Sequence, residues 1–136
     1  MAEPELVVLG SGGDAPTRTR AVSSYLLRAP AGALLLDPGE GTLRQLVLMG
    51  LGACRIERVF VSHFHLDHCL GLPAVLEHLQ VGRDGRTVEI LFPAAGAERL
   101  GHLLALAGLA GAPAARLRPL VDGDARELGG GERLRV

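Results

Sequence analysis

Three of the five histidines in the chain, His63, His65 and His68, fall within six residues, and Asp67 stands among them in the spacing HxHxDH. Imidazole nitrogen and carboxylate oxygen are preferred donors for zinc and related divalent ions. In an extended or tightly turned backbone, residues two apart leave the same side, so His63 and His65 can both reach one ion. Asp67 and His68 follow where the chain must turn, and adjacent residues there can face a second ion. One short loop can thus serve two metals about 3.5–4 Å apart, the spacing at which paired ions clamp a displacement reaction. Asp67 has a further use: held beside an activated water, it can orient that water and take its proton. Without a cation, three histidines and an aspartate packed between an apolar strand and a helix start would be costly to desolvate.

The flanking residues supply the elements that must hold this loop. Ile56–Val61 reads as a strand, and its apolar Val59-Phe60-Val61 lacks alternation, as in a strand covered on both faces. Pro73 suits the first turn of a following helix, with Leu72, Val75, Leu76 and Leu79 on one face and Gly82 past its end. His78 lies in that helix and reads as a surface residue. Upstream, Glu5–Leu9 reads as a first strand ended by Gly10-Ser11-Gly12-Gly13, and Ser23–Arg28 with Ala33–Asp37 as a strand pair around a Pro-Ala-Gly turn. The G-x-G-x-x-A pattern at Gly10–Ala15 is not followed by a helix signal, which excludes a dinucleotide fingerprint. Thr42 and Gln45 form a capping-box pair for a helix burying Leu43, Leu46 and Val47 and stopping at Gly50.

Downstream, Thr87–Phe92 reads as a strand stopped by Pro93. Gly96–Leu106 reads as a helix with Leu100, Leu103 and Leu104 inward and His102 outward. Leu117–Val121 and Arg133–Val136 read as strands of one further pairing, the first at an edge because of Pro119. Strands alternating with helices predict an α/β layered fold over residues 1–136, taken as one domain.

Composition sets outer bounds. The formal charge is −1 and all fourteen basic residues are arginine, so the broad basic footprint of many nucleic-acid binders is missing. No apolar run is long enough to span a bilayer, and the N-terminus lacks a secretory pattern, so a cytoplasmic protein without membrane contact is expected. Cys54 and Cys69 read as free thiols in a reducing compartment.

Ser62-His63-Phe64-His65-Leu66-Asp67-His68 resembles the HxHxDH motif of the metallo-β-lactamase superfamily. Asp37-Pro38-Gly39-Glu40-Gly41-Thr42 is similar to the D-C-G-E-G-T of its ribonuclease Z branch, and Gly71-Leu72-Pro73 follows the motif as in that branch. The resemblance implies an αββα sandwich, of which this chain covers the first half and a little more. It implies a zinc-dependent phosphodiesterase acting on the 3′ end of precursor tRNA. Two zinc ions would serve a complete site, with manganese as the other candidate; His63 and His65 would bind one, Asp67 and His68 the other. Asp37 would sit beneath the loop and hold a ligand histidine, although on residues alone it equally well opens a turn.

Pro16-Thr17-Arg18-Thr19-Arg20-Ala21 resembles the P-x-K-x-R-N loop near the tRNA end, with Arg18 for lysine and Ala21 for asparagine. Arg18 and Arg20 are therefore candidate substrate contacts, and a solvated basic loop is the plain alternative. A homodimer is expected. In the resembled family a third histidine, a bridging aspartate and a last histidine come later in the chain. The 136 residues are accordingly expected to be part of a longer hydrolase, catalytically weak or inert unless a partner chain completes the site. Two other readings remain: a hydrolase of a small phosphodiester or sulfate ester, and a non-catalytic metal-binding or interaction module.

Overall fold

A computed structural model describes residues 3–52, 54–129 and 131–136, and the side chains of Gly129 and Glu132 are not described. Six strands form one sheet in sequence order: β1 (Glu5–Gly10), β2 (Ser24–Ala29), β3 (Gly32–Leu36), β4 (Ile56–Phe60), β5 (Val88–Pro93) and β6 (Ala115–Leu120). The first three are antiparallel, and β3 to β6 are parallel neighbours. Between the parallel strands lie α1 (Thr42–Leu48), the single turn α2 (Leu66–Cys69) with α3 (Leu72–His78), and α4 (Ala97–Leu106).

The order 3-4-5-6 steps in one direction at every crossover, and parallel crossovers are right-handed, so the connecting helices fall on one face. Period-2 alternation then sends Leu26, Leu35, Val59 and Ile90 towards Leu46, Leu72, Leu76 and Leu100, each at most 2% exposed. Truncating one such leucine to alanine costs about 2–5 kcal/mol. No helix among the described residues is long and apolar enough to cross a membrane.

The α/β alternation follows the pattern expected from the sequence, and four local expectations need correction. Thr42 does not cap α1. Gly41 occupies that position at φ 79°, and the buried Thr42 hydroxyl donates instead to the Gly39 carbonyl at 2.9 Å, bracing the turn below. Val47 is 55% exposed, because only Leu46 and, in part, Leu43 reach the sheet from so short a helix. The helix after Pro73 ends at His78, where Gln80 turns to φ 55° and Val81 folds back into the core.

The two C-terminal strands do not pair with each other. β6 joins the main sheet beside β5, at the edge that Pro119 requires. β8 (Glu132–Arg135) pairs antiparallel with β7 (Ala125–Gly129), a strand that the polar Arg126-Glu127 disguises in the sequence.

Candidate metal centre

Asp37 and the histidine–aspartate loop follow the carboxyl ends of β3 and β4, where open α/β sheets bind ligands. β3 delivers Asp37. Its amide donates to the Phe60 carbonyl at 2.8 Å, carrying the parallel ladder one residue past the strand. The chain then swings to φ 51°, a left-handed conformation that aspartate tolerates better than most residues. That swing folds the carboxylate onto the end of β4. Asp37 Oδ1 accepts from the Ser62 amide at 2.7 Å, while Oδ2 accepts from the Ser62 hydroxyl at 2.6 Å and contacts His68 Nδ1 at 2.9 Å.

Two glycines fix the distance between the turn and the metal loop. A Cβ at Gly39 would run into the Asp67 carbonyl oxygen, and one at Gly71 would run into the Gly39 carbonyl oxygen. The Gly71 amide donates to the Pro38 carbonyl at 2.9 Å, closing the contact. A third, Gly96, gives way to the ring of Phe64, which anchors the loop's far side against the start of α4.

His65 caps α2 in extended conformation, and the His68 amide donates to its carbonyl at 2.9 Å. This single turn brings the rings together: His63 lies 4.0 Å from His68 and 4.7 Å from His65, centroid to centroid. His63 and His65 face solvent, whereas the Asp67 and His68 side chains are 13% and 20% exposed. His68 Nε2 stands 3.1 Å from Asp67 Oδ2 while its Nδ1 faces Asp37. A neutral imidazole has one N–H, so with Nδ1–H given to Asp37 the Nε2 and Oδ2 lone pairs oppose each other. Such a pair must share a proton or a cation, which is the fit expected of two donors to one ion.

One candidate cluster of donor atoms, with all three within 4.8 Å of one another, joins His63 and His68 to Asp37 rather than to His65 or Asp67. Both oxygens of Asp37 already accept the hydrogen bonds described above, three in all, so the carboxylate is largely engaged in orienting the loop. That geometry favours a place beneath the ligands over a place among them.

Arg18 and Arg20 sit on an exposed loop whose Thr17 hydroxyl accepts from the amides of Thr19 and Arg20. Among the described residues neither arginine side chain makes an ion pair or hydrogen bond. The loop is nonetheless rooted near the centre: Gly12 bonds to Ala21, and Val22 packs against Gly39. His78 is exposed on α3 and turned to the Gly52 carbonyl, and His102 is exposed on α4, outside the donor cluster.

Beside His65 opens a cavity of about 440 Å³ lined by Phe64, Leu66, Cys69, Arg99 and His102 among others. Burial pushes the Cys69 thiol above its ordinary value, with Arg99 pulling it down and Asp67 and Asp37 adding to the rise. Ser62 and Arg99, which donates to the Phe64 carbonyl, had no role assigned from sequence. The signal for Ser62 was its position, a hydroxyl at the strand end directly before the first histidine.

A mixed sheet with a histidine–aspartate loop at the carboxyl ends of its parallel strands is an architecture suited to holding a divalent metal ion. The model for the metallo-beta-lactamase superfamily matches residues 17–136, and the chain belongs to that superfamily. Ribonuclease Z of Kineococcus radiotolerans is 49% identical over 112 residues, 82% of this chain and 35% of the relative. Ribonuclease Z of Nocardia farcinica is 44% identical over 103 residues, 76% of this chain and 34% of the relative. The crystal structure of human tRNase Z, short form, superposes with TM-score 0.65 at 32% identity, covering 78% of this chain and 40% of that one. The chain thus spans about a third of the length of the curated relatives it matches. Family and cluster together imply a divalent metal ion.

Proposed function

We propose that this stretch, residues 1–136, is a single-domain portion of a zinc-dependent phosphodiesterase of the ribonuclease Z type, cutting the 3′ trailer from precursor tRNA. The observation that carries the reading is the HxHxDH loop braced by Asp37 through Ser62 and His68, in a chain whose curated relatives bear the name Ribonuclease Z. His63 and His65 would hold one zinc, and Asp67 with His68 a second. Bound there, the ions would polarise a phosphodiester and make water nucleophilic near neutral pH. The chain's own residues do the positioning. Asp37 holds His68 through Nδ1 and leaves Nε2 free for an ion, Asp67 takes the proton of the attacking water on a carboxylate oxygen, and Arg18 and Arg20 meet backbone phosphates.

A cytoplasmic homodimer belongs to the same proposal. Leu66, Leu70 and Leu106 are 64%, 42% and 75% exposed, an apolar surface suited to a partner copy. Sedimentation of the chain at micromolar concentration checks it, and a monomer would remove it.

The functional test uses a protein of the relatives' full length that contains this stretch, loaded with zinc. Release of a 3′ trailer from precursor tRNA is the expected result, abolished by Asp67→Ala. Turnover of a small phosphodiester with precursor tRNA left intact would replace the tRNA reading with the small-ester one. Metal binding without either hydrolysis would point to a non-catalytic module. Metal content by elemental analysis after zinc or manganese loading decides which ion is retained.

A further inference from the structure

We propose that Ser62 is a positioning residue of the metal centre, whose hydroxyl relays the charge of Asp37 to His63 and fixes that ring with its proton on Nδ1. The inference rests on the metal reading of the loop and extends it to a residue outside the HxHxDH motif. Three distances carry it. The Ser62 hydroxyl oxygen lies 2.6 Å from Asp37 Oδ2 and 2.9 Å from His63 Nδ1, while the Ser62 amide is tied to Asp37 Oδ1 at 2.7 Å.

A hydroxyl has one hydrogen to give, and an ionised carboxylate can only accept. The shorter contact is the charge-assisted one, so the Ser62 proton belongs to Asp37. The reverse assignment would set a hydroxyl lone pair against a carboxylate at 2.6 Å, which is repulsive. With its proton committed, Ser62 Oγ can only accept from His63, so Nδ1 carries the hydrogen and Nε2 keeps its lone pair for an ion. The amide bond to Oδ1 pins the Ser62 backbone, which makes the relay rigid.

One carboxylate thereby sets two rings, His68 directly through Nδ1 and His63 through the hydroxyl. Among the described residues His65 has no ring hydrogen bond of this kind. Fixing a ligand's tautomer and orientation in advance is worth 10- to 100-fold in metal affinity.

The test compares wild type, Ser62→Ala and Ser62→Thr, the last keeping the hydroxyl. Nitrogen-15 spectra of the imidazoles in the metal-free full chain, near pH 8, read the tautomers directly. Wild type and Ser62→Thr should show His63 protonated on Nδ1, and Ser62→Ala should move it towards Nε2 protonation with His68 unchanged. Zinc affinity by chelator competition should fall 10- to 100-fold in Ser62→Ala and return in Ser62→Thr.

An unchanged His63 tautomer in Ser62→Ala would overturn the relay. So would a Ser62→Thr variant matching Ser62→Ala, or a change striking His68 equally, which would mark general loosening. If wild type fails to bind a divalent ion, the metal reading falls, while the metal-free spectra still decide the relay.

Discussion

The two ends of the parallel sheet both offer a cavity, a histidine and a cysteine, and only one of them is built for chemistry. At the amino ends of β4 and β5 a cavity of about 630 Å³ is lined by Cys54, Arg55, His78 and Arg86 among others. At the carboxyl ends the cavity beside the metal loop is smaller, about 440 Å³. The difference lies in how the polar groups are restrained. His78 Nε2 is spent on the Gly52 carbonyl at 2.7 Å, and Arg55 pairs with Glu57 on the surface. The groups there that are paired at all are paired one at a time, on exposed side chains. His63, His68, Asp67, Ser62 and Asp37 instead restrain one another within a few ångströms. Such mutual restraint, rather than volume, distinguishes a site from a groove.

Breaking the backbone contact should have the largest effect. Gly39→Ala or Gly71→Ala forces a methyl group into a carbonyl oxygen with no flexible side chain to yield. About 3 kcal/mol or more should be lost on urea unfolding. At the other end Gly85→Ala meets open space and only a left-handed φ of 73°, costing about 1 kcal/mol. Equal losses would erase the contrast between the two ends.

The histidines come next. His68→Ala removes a proposed ligand and the partner of two carboxylates, and zinc affinity by chelator competition should fall by more than about 100-fold. His78→Ala should leave it unchanged, since that ring serves a loop carbonyl 26 residues away in sequence. A matching loss in both variants would mean that zinc is held unspecifically. Asp37→Asn is milder: it keeps the shape but can no longer accept at both oxygens, and a loss of 10- to 100-fold is expected.

These contrasts also show what the sequence could reveal. The loop was legible because ligand type and spacing are local, and the sheet because the Leu34-Leu35-Leu36 and Val59-Phe60-Val61 runs and their breakers are local too. Asp37 and Ser62 are 25 residues apart; the resemblance suggested Asp37 beneath the loop, but no residue of either segment signals the left-handed turn that folds it onto Ser62. Gly39 and Gly71 read as ordinary turn residues until their contacts are known. Thr42 misled for the converse reason, a good capping residue whose hydroxyl was drawn to the Gly39 carbonyl by burial. The polar β7 carried no apolar alternation, so its pairing with β8 could not be anticipated.

The smallest effect compares the two thiols. Cys69 is 2% exposed and donates to the His65 carbonyl at 3.2 Å, whereas Cys54 is half-buried. Iodoacetamide should therefore label Cys54 directly and Cys69 only when the loop opens. A metal ion that holds the loop closed should slow the second reaction alone. At a free zinc concentration ten times Kd, the closed state gains about 1.4 kcal/mol, a tenfold slowing when every opening breaks the site. Mass spectrometry of the labelled peptides, read at increasing metal concentration, separates the two ends of the sheet. A slowing shared by Cys54 would mean that the metal stabilises the whole chain, and an unslowed Cys69 would mean that the loop opens without releasing the ion.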